Sequence, residues 1–368
     1  MTIKTHTPSK LPVDIKYEPL ITGIAKAHAS LARLDAFLSQ LPNPRLLTKT
    51  FITKEAVMSS QIEGTEASLL DVLEKEAKGL FEEETRSGRD IREIINYRNA
   101  MEEGIKMIKD GKKISENLIL DLHKILLRSV RGADKKPGEF RKVQVYIGKP
   151  GLGIENASYI PPVHDKVPGL VKDLVKYINS DEEKDLVVQA AFAHSQFEAI
   201  HPFIDGNGRV GRLLISLFLF DRKLINKPFL YVSEYFEANR AEYYACLKGV
   251  TADGDWYSWI AFFLRAIDEQ ARKVTKTARD ILDIYHVERA SLSRFDSIYA
   301  GDLLDAIFIM PVFSSNSIRP SSGIKNIQTL FSLIDKFEKD GIIVSLTPGA
   351  KRGKIYMFKK LIDILERR

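Results

Sequence analysis

The residue types that could do chemistry are concentrated between His201 and Arg212. A glycine-rich turn, Asp205 to Gly208, separates two apolar runs that predict buried helices. Backbone N–H groups at the start of the second helix can bind an anion there, and phosphate is the obvious candidate. Arg209 and Arg212 are three residues apart, so both guanidinium groups can face one side of the helix and bind phosphate oxygens.

Two further side chains complete this set. His201 can take a proton from an attacking hydroxyl near neutral pH. Asp205 offers a hard oxygen ligand for a Mg²⁺ ion that bridges the phosphates. A base, a metal carboxylate, an anion site and two arginines lie within twelve residues, and together they favour attack of a hydroxyl on a phosphate.

Two predicted helices must position these groups. Leu186 to Ile200 is apolar and rich in alanine, and Pro202 ends this helix at His201. Arg209 to Leu224 is predicted to be the second helix, and it is apolar on every side in its middle, which indicates a central position in the core.

Two other interpretations of the same residues are weaker. Gly206, Gly208 and Gly211 have the spacing of a dinucleotide-binding fingerprint, but that motif needs a preceding strand, and the preceding run is helical. His194 and His201 would lie about 10 Å apart along a helix, too far to share one zinc ion. We therefore expect His194 to be structural.

The segment from His201 to Arg212 resembles the Fic family motif HPFx(D/E)GNGRxxR at every defined position. Fic proteins are mostly protein adenylyltransferases, which move AMP from ATP to a hydroxyl side chain. The resemblance implies that His201 is the base, that Asp205 binds Mg²⁺ and that Phe203 anchors the loop in the core. It also implies a cradle for the α- and β-phosphates and two cations for the β- and γ-phosphates, formed by Gly206, Asn207, Gly208, Arg209 and Arg212.

A second motif lies upstream, where Ser59 and Glu63 are four residues apart and share a helix face. A carboxylate there could pair with an arginine elsewhere, or could be a surface group near a helix end. The stretch resembles the (S/T)xxxE(G/N) inhibitory motif of many Fic proteins. That resemblance implies that Glu63 binds Arg212 and takes the space of the γ-phosphate, so that ATP is excluded or held with its α-phosphate misaligned.

Val143, Val145 and Ile147 alternate with polar residues ahead of a glycine-rich turn, which predicts a β-hairpin. In Fic proteins a hairpin flap at this point adds a target segment by strand pairing. The resemblance implies that Tyr159 to Pro161 form one side of the flap. The other side would be formed by Val145, Tyr146, Ile147 and Gly148. A surface hairpin without a partner is the alternative.

A polar and aromatic helix is predicted from Tyr235 to Tyr244. Aromatic faces and an amide suit recognition of an adenine ring, and similar segments of Fic proteins line the nucleotide pocket. Asn239 and Tyr243 are therefore the adenine candidates, although aromatic residues at helical spacing are often part of a core.

The composition predicts a folded protein with a sizeable core. The chain has 368 residues, of which 44% are hydrophobic, and a net charge of +6 that is compatible with ATP or nucleic acid. A single cysteine, Cys246, excludes a disulfide framework within the chain and suits a reducing compartment, so we expect a cytoplasmic protein. Since no apolar run reaches the roughly 18 residues of a membrane span, we expect no membrane partner.

The predicted fold class is mainly α: a Fic-type helical core with a small β-hairpin flap, and a C-terminal winged-helix domain. The expected domains are an N-terminal helical region with the inhibitory helix at 1–110, a catalytic core at 111–272, a charged connector at 273–295 and the winged helix at 296–368. In DNA-binding proteins of this kind, the helix predicted at Asn326 to Lys339 would enter the major groove. Its few arginines leave a protein-partner or dimer module equally open.

The sequence therefore predicts an ATP- and Mg²⁺-dependent protein adenylyltransferase that Glu63 holds inactive. Its targets would be Tyr, Thr or Ser hydroxyls of another protein or of itself, and it could also remove AMP. A homodimer is a further expectation. The alternatives are a nucleotide-sensing DNA-binding transcriptional regulator and transfer of a different phosphate-containing group.

Overall fold

Most of the described chain forms helices, as the periodicity of its apolar residues predicts. The computed structural model describes residues 5–41, 43, 45–79, 85–130, 135–148, 151, 153–350 and 352–367. The first helices are α1 (Ile21–Ser39), α2 (Arg45–Ile62), α3 (Leu69–Lys78), α4 (Arg86–Lys109) and α5 (Glu116–Leu126). They are followed by α6 (Val167–Ile178), α7 (Leu186–Ile200), α8 (Asn207–Asp221), α9 (Ser233–Ala238), α10 (Arg240–Asp253) and α11 (Trp256–Ala290).

The C-terminal elements form a small mixed module. They are α12 (Ala300–Ile309), β1 (Val312–Ser314), α13 (Ser315–Ser322), α14 (Ile327–Lys339), β2 (Val344–Ser345), β3 (Ile355–Met357) and α15 (Lys359–Leu365). The strands form one antiparallel sheet in the order β1-β3-β2, with Phe313 opposite Tyr356. The fold is therefore mainly α, as expected, and the winged-helix assignment of this module stays a prediction.

The chain divides into two compact units, each built from separate stretches. The first contains residues 1–39, 58–64 and 96–272, and the second contains 40–57, 65–95 and 273–368. In the second unit, residues 65–95 pack with the C-terminal module: α3 contacts β1 and β3. The four consecutive domains expected from the sequence stay a prediction.

The core of the first unit is built around α7 and α8. Both helices are buried almost throughout, and the indole N–H of Trp259 on α11 donates to the carbonyl of Ala191 on α7 at 2.8 Å. A Cβ on Gly104 of α4 would come within 2.7 Å of a methyl group of Leu217 on α8, so a larger residue at this position would require the Leu217 side chain to shift. The turn between α7 and α8 is thus held by two buried, closely packed helices.

The charged connector expected at 273–295 is helical as far as Ala290, because α11 continues into it, and an i,i+4 pair between Lys276 and Asp280 supports this charged part. In the C-terminal module, β1 and α13 were not predicted. They follow Pro311, and α13 contains Pro320 in its interior.

No helix among the described residues is both long enough and apolar enough to cross a membrane.

The N-terminus of α7 carries a contact between Asp185 and His28. Asp185 caps this helix by accepting from Val187 and Val188, and it also contacts His28 Nε2 at 2.7 Å. The hydrogen bond to Asp185 raises the pKa of His28 despite partial burial. Burial opposes it, but the bond to His28 and the backbone N–H groups lower the pKa of Asp185.

Because the His28 pKa is raised, its stabilising effect is present below the ordinary value of 6.5 and is lost as the pH rises through the folded pKa. The lowered pKa of Asp185 adds stability at pH values above its ordinary pKa of 3.8, and this stability is lost as the pH falls through the folded pKa. Asp185→Asn, which keeps the cap, should therefore lower the free energy of unfolding by about 0.5 kcal/mol near pH 5–6, and by less at pH 8–9. Asp185→Ala should cost about 1 kcal/mol more because the cap is lost. Urea unfolding at a series of pH values measures both effects. If Asp185→Asn lowered the free energy of unfolding by the same amount at every pH, the result would contradict the ion pair.

Candidate active site

The turn between α7 and α8 places the motif residues in one short loop. His201 is the C-cap of α7 in the left-handed conformation, with φ 50° and ψ 62°, and its N–H donates to Phe197 O at 3.0 Å. Gly206, with φ 80°, is the N-cap of α8, and glycine tolerates this conformation at little cost. The first turn of α8 therefore begins at this loop, and the N-terminus of a helix favours an anion.

The side chain of Asn207 holds this loop in shape. Its Oδ1 accepts from Phe203 N at 2.8 Å and its Nδ2 donates to Phe203 O at 3.0 Å. Phe203 is fully buried, and its ring stacks on His123 with a centroid distance of 3.7 Å. The side-chain amide of Asn207 is thus engaged with the loop, and an anion could reach this residue only at its backbone N–H.

His123 on α5 supports the loop from outside the motif. Its Nδ1 accepts from Gly138 N at 2.9 Å, so its Nε2 carries the proton and donates to Asp205 O at 3.0 Å. Burial lowers the pKa of His123 to about 4, against the effect of the Asp205 carbonyl. The ring is therefore neutral at physiological pH and joins the loop to the segment before the flap.

The structure brings Ser59 and Glu63 of the α2 end against Arg212 of α8. Arg212 donates from Nε to Ser59 Oγ at 2.9 Å, and from Nη2 to Ser59 O at 2.9 Å and Glu63 Oε1 at 2.7 Å. A Cβ built on Gly208 would lie 2.3 Å from Glu63 Oε1. The carboxylate of Glu63 therefore rests on the first turn of α8, where an anion is favoured by the helix dipole.

Charge complementarity sets the protonation of this pair. Burial tends to raise the pKa of Glu63, but Arg212, with Arg209 and His201 adding smaller effects, brings it below its ordinary value. Burial likewise opposes the charge of Arg212, whose side chain is 1% exposed, but Glu63 raises the Arg212 pKa above its ordinary value. Both groups are therefore ionised at neutral pH.

Asp205 lies at the mouth of the same turn. Its Oδ1 accepts from Gly206 N at 2.6 Å and lies 3.4 Å from Arg209 Nη2, and its side chain is 29% exposed. Among the described residues there is no cluster of three or more His, Cys, Asp or Glu that could hold a metal ion by itself. One carboxylate with phosphate oxygens and water is a normal Mg²⁺ ligand set, so the residues fit a metal ion that arrives with a nucleotide, and the Mg²⁺ site stays a prediction.

His201 is prepared to accept a proton. Burial lowers its pKa to about 4, with the carbonyl of Glu198 opposing the shift and the cation of Arg141 adding to it. The imidazole is therefore neutral at physiological pH, which is the form that a general base requires.

Among the described residues of the flap, which do not include 149, 150 and 152, one β-bridge forms, between Ile147 and Tyr159. Ile147 N donates to Tyr159 O at 2.9 Å, and Tyr159 N donates to Ile147 O at 3.1 Å. Tyr159 also donates its hydroxyl to Ala199 O on α7 at 2.6 Å, which ties the flap to the core. The predicted target-binding side is half-buried at Val145 and exposed at Tyr146, Ile147 and Gly148.

The two adenine candidates lie in different surroundings. Asn239 joins α9 to α10 and donates from Nδ2 to Tyr235 O at 2.9 Å. Tyr243 is 1% exposed, binds His194 Nε2 through its hydroxyl at 2.9 Å and stacks on Phe236. Their role in binding adenine stays a prediction. His194 is neutral, since burial lowers its pKa to about 3, and its contacts are those of a structural histidine.

Three residues near the site were missed by sequence reasoning: His123, Arg141 and Glu198. The first two act on backbone groups, which residue types do not reveal. Glu198 lies one turn before His201, and burial raises its pKa to about 7, although Arg212 opposes the shift. The sequence feature that could have indicated Glu198 is a charged residue in the apolar run just before the motif.

His123→Ala should lower the free energy of unfolding by about 3 kcal/mol, because it leaves Gly138 N and Asp205 O without their partner and empties the space against Phe203. Urea unfolding at pH 7 measures this. His164→Ala, at a histidine whose side chain is 39% exposed, is the matched control and should change the value by less than about 0.5 kcal/mol. Equal effects of the two substitutions would contradict the bridging role of His123.

The comparisons with known proteins agree with this geometry. The model of the Fic/DOC family N-terminal region matches residues 21–106, and the Fic/DOC family model matches residues 113–219. A probable protein adenylyltransferase of Aquifex aeolicus is 31% identical over 52% of this chain and 55% of its own length. The protein adenylyltransferase Fic of Drosophila grimshawi is 33% identical over 39% of this chain and 26% of its own length.

Solved structures show the same fold. A Fic family protein from Desulfovibrio desulfuricans aligns over 96% of this chain and 98% of its own, with a TM-score of 0.60 and 22% identity. Fic-1 of Caenorhabditis elegans aligns over 71% of this chain and 75% of its own, with a TM-score of 0.55. The match with the Aquifex protein spans about half of that relative, and the match with the Drosophila protein about a quarter. The two family models together cover more than half of the chain, which therefore belongs to the Fic/DOC family.

Proposed function

We propose that this protein is an adenylyltransferase that transfers AMP from ATP to a protein hydroxyl and that Glu63 holds it inactive. The observation that carries the proposal is the carboxylate of Glu63 on Gly208 and Arg212, at the N-terminus of α8. An anion already rests where the motif would bind phosphate. The names of the Aquifex and Drosophila relatives support the same reaction.

The reaction assigns one task to each motif residue. The target hydroxyl oxygen attacks the α-phosphorus of ATP, its O–H proton passes to the neutral imidazole of His201, and the bond to the pyrophosphate oxygen breaks. The N–H groups at Gly206 to Gly208 and the cations Arg209 and Arg212 stabilise the charge that develops on the phosphates. Bound at Asp205, Mg²⁺ would neutralise the leaving pyrophosphate.

Inhibition by Glu63 follows from charge and space. Its carboxylate takes one donor of Arg212 and lies over Gly208, so a phosphate oxygen at that place would meet a like charge in van der Waals contact. ATP is then excluded or held with its α-phosphate out of line with the attacking hydroxyl. In the reverse reaction, removal of AMP, the same carboxylate would position a water molecule.

The flap is the proposed docking edge for the target. Val143, Tyr146 and Ile147 expose 52%, 42% and 42% of their surface beside the bridge to Tyr159. An extended segment can pair with this edge while its side chains contact these residues, and a Tyr, Thr or Ser hydroxyl would then face His201.

A DNA-binding role is less well supported than a protein-binding role for the C-terminal module. The exposed face of α14 carries Phe331, which is 48% exposed, and the carboxylate of Asp335. An aromatic ring suits a protein surface, and a carboxylate would repel a DNA phosphate. The homodimer and the cytoplasmic location stay predictions.

Transfer from ATP labelled on its α-phosphate tests the proposal. Wild type should label protein weakly, Glu63→Gly should raise labelling by about 100-fold because Arg212 and the α8 N-terminus become available, and Glu63→Gly with His201→Ala should lose it by at least about 100-fold. Intact-mass spectrometry should show the added mass of AMP on the labelled protein.

Glu66→Gly is the matched control for the loss of a carboxylate. Glu66 lies three residues further along, with its side chain 74% exposed, and its substitution should leave labelling at the wild-type value. No label in any variant, with ATP binding retained, would contradict the enzyme proposal. A different added mass would point to transfer of another phosphate-containing group.

Removal of the metal gives a separate prediction. Chelation by EDTA should abolish transfer by Glu63→Gly, and Asp205→Asn in that background should raise the Mg²⁺ concentration for half-maximal transfer by at least about tenfold. Asparagine can still accept from Gly206 N, so the loop should keep its fold, as circular dichroism can check. An unchanged Mg²⁺ requirement in Asp205→Asn would contradict the ligand assignment.

A further inference from the structure

Arg141 lies 60 residues before the motif in sequence, yet it binds the end of α7 directly. Its side chain is buried, with the whole residue 2% exposed. Its Nε donates to His201 O at 2.9 Å, and its Nη2 approaches Ile200 O at 3.4 Å. Its backbone N–H donates to Pro202 O at 2.9 Å. Arg141 thus contacts three consecutive residues centred on the proposed base.

The same guanidinium group holds both sides of the flap. Its Nη1 donates to Val143 O at 3.2 Å and its Nη2 to Pro162 O at 2.5 Å. Val143 belongs to the segment that contains Ile147, and Pro162 belongs to the segment that contains Tyr159, so each carbonyl comes from a different side of the bridged flap. One planar group therefore joins the two sides of the flap to the end of α7.

This set of contacts suits arginine and no other side chain. The acceptors lie in several directions, and only the guanidinium fork offers five N–H donors in a fixed plane. The carbonyls at the end of α7 carry the negative end of the helix dipole, so a buried cation there is stabilised. Lysine would keep the charge, but its single nitrogen cannot reach all four carbonyls.

The contact with His201 also bears on the backbone of the base. His201 has φ 50°, a conformation that residues other than glycine adopt at a cost. The hydrogen bond from Arg141 to its carbonyl, together with the bond to Pro202, holds the chain in this conformation. The direction of the imidazole depends on that backbone.

We propose that Arg141 is a positioning residue that couples the flap to His201, so that a segment docked on the flap and the base keep a fixed relative position. This inference rests on the proposed function, because it assigns the flap to target docking and His201 to proton transfer. Arg141 acts through main-chain carbonyls of other residues, and a displacement of about 1 Å between hydroxyl and base can cost about 100-fold in rate.

The test compares Arg141→Lys and Arg141→Gln, both in the full-length Glu63→Gly background. The rate of self-modification at saturating Mg²⁺ and ATP should fall by about 100-fold in both, while the ATP concentration for half-maximal rate should change less than about twofold. The ATP dependence should not change because the proposed ATP site lies on α8, and the side-chain contacts of Arg141 described above are with other segments. Partial unfolding would instead reduce the fraction of active protein, and a lower thermal midpoint would reveal it.

Arg222→Lys is the matched control in the same background. Arg222 belongs to the same unit, and its guanidinium binds Asp181, whose side chain is 90% exposed. Its substitution should leave the rate and the ATP dependence unchanged. A rate in Arg141→Lys within about twofold of its parent would overturn the proposal.

Hydrogen exchange separates this inference from the proposed function, because it needs no activity. In Arg141→Lys with Glu63 intact, amides of residues 143–147 and 158–160 should exchange at least about tenfold faster, with α7 and α8 unchanged. If Glu63→Gly transfers no label, the proposed function has failed. The hydrogen-exchange result then decides by itself whether Arg141 couples the flap to the end of α7. Unchanged flap exchange, or an equal rise throughout α7 and α8, would overturn it.

Discussion

The ion pair between Glu63 and Arg212 is the contact on which this account of the site depends. Arg212 is buried on α8, and a buried guanidinium needs acceptors for its charge and its donors. Ser59 supplies two of them, and Glu63 supplies the charge. A triphosphate could supply the same charge, so under the proposed function the carboxylate and the nucleotide would compete for one cation and for the space above Gly208.

The surrounding structure fixes the shape of the loop between α7 and α8. This loop is held from three sides: Asn207 closes it internally, His123 supports it from α5, and Arg141 binds the end of α7. These contacts engage backbone groups and leave the first turn of α8 open to Glu63. Residues 58–64, which include Ser59 and Glu63, belong to the first unit together with Arg212.

Much of this site could be predicted from the sequence because its reactive residues are contiguous. The bounds of α7 match the prediction, since Asp185 caps the helix and Pro202 follows its last turn. The partner of Arg212 lies 149 residues away from it, and only the resemblance of a short motif suggested it. Spacing alone would not have identified the pair.

The remaining features escaped prediction for physical reasons. Arg141 and His123 act by binding main-chain carbonyl and N–H groups, which every residue carries, so the sequence contains no sign of their partners. The flap was expected as a β-hairpin, and in its described part the two sides pair at the bridge between Ile147 and Tyr159, while Pro161 and Pro162 lack the N–H donors that further pairing would need. In the second unit, the strand β1 is only three residues long, too short for an alternating pattern to be recognised.

The most direct measurement is a crystal structure of Glu63→Gly bound to Mg²⁺ and a non-hydrolysable ATP analogue. The account predicts a terminal phosphate oxygen beside Gly208, at the place of Glu63 Oε1 and within hydrogen-bond distance of Arg212 Nη2. A nucleotide bound with its phosphates away from Gly208, and with Arg212 still turned to Ser59 alone, would contradict the claim that Glu63 and ATP compete for one site.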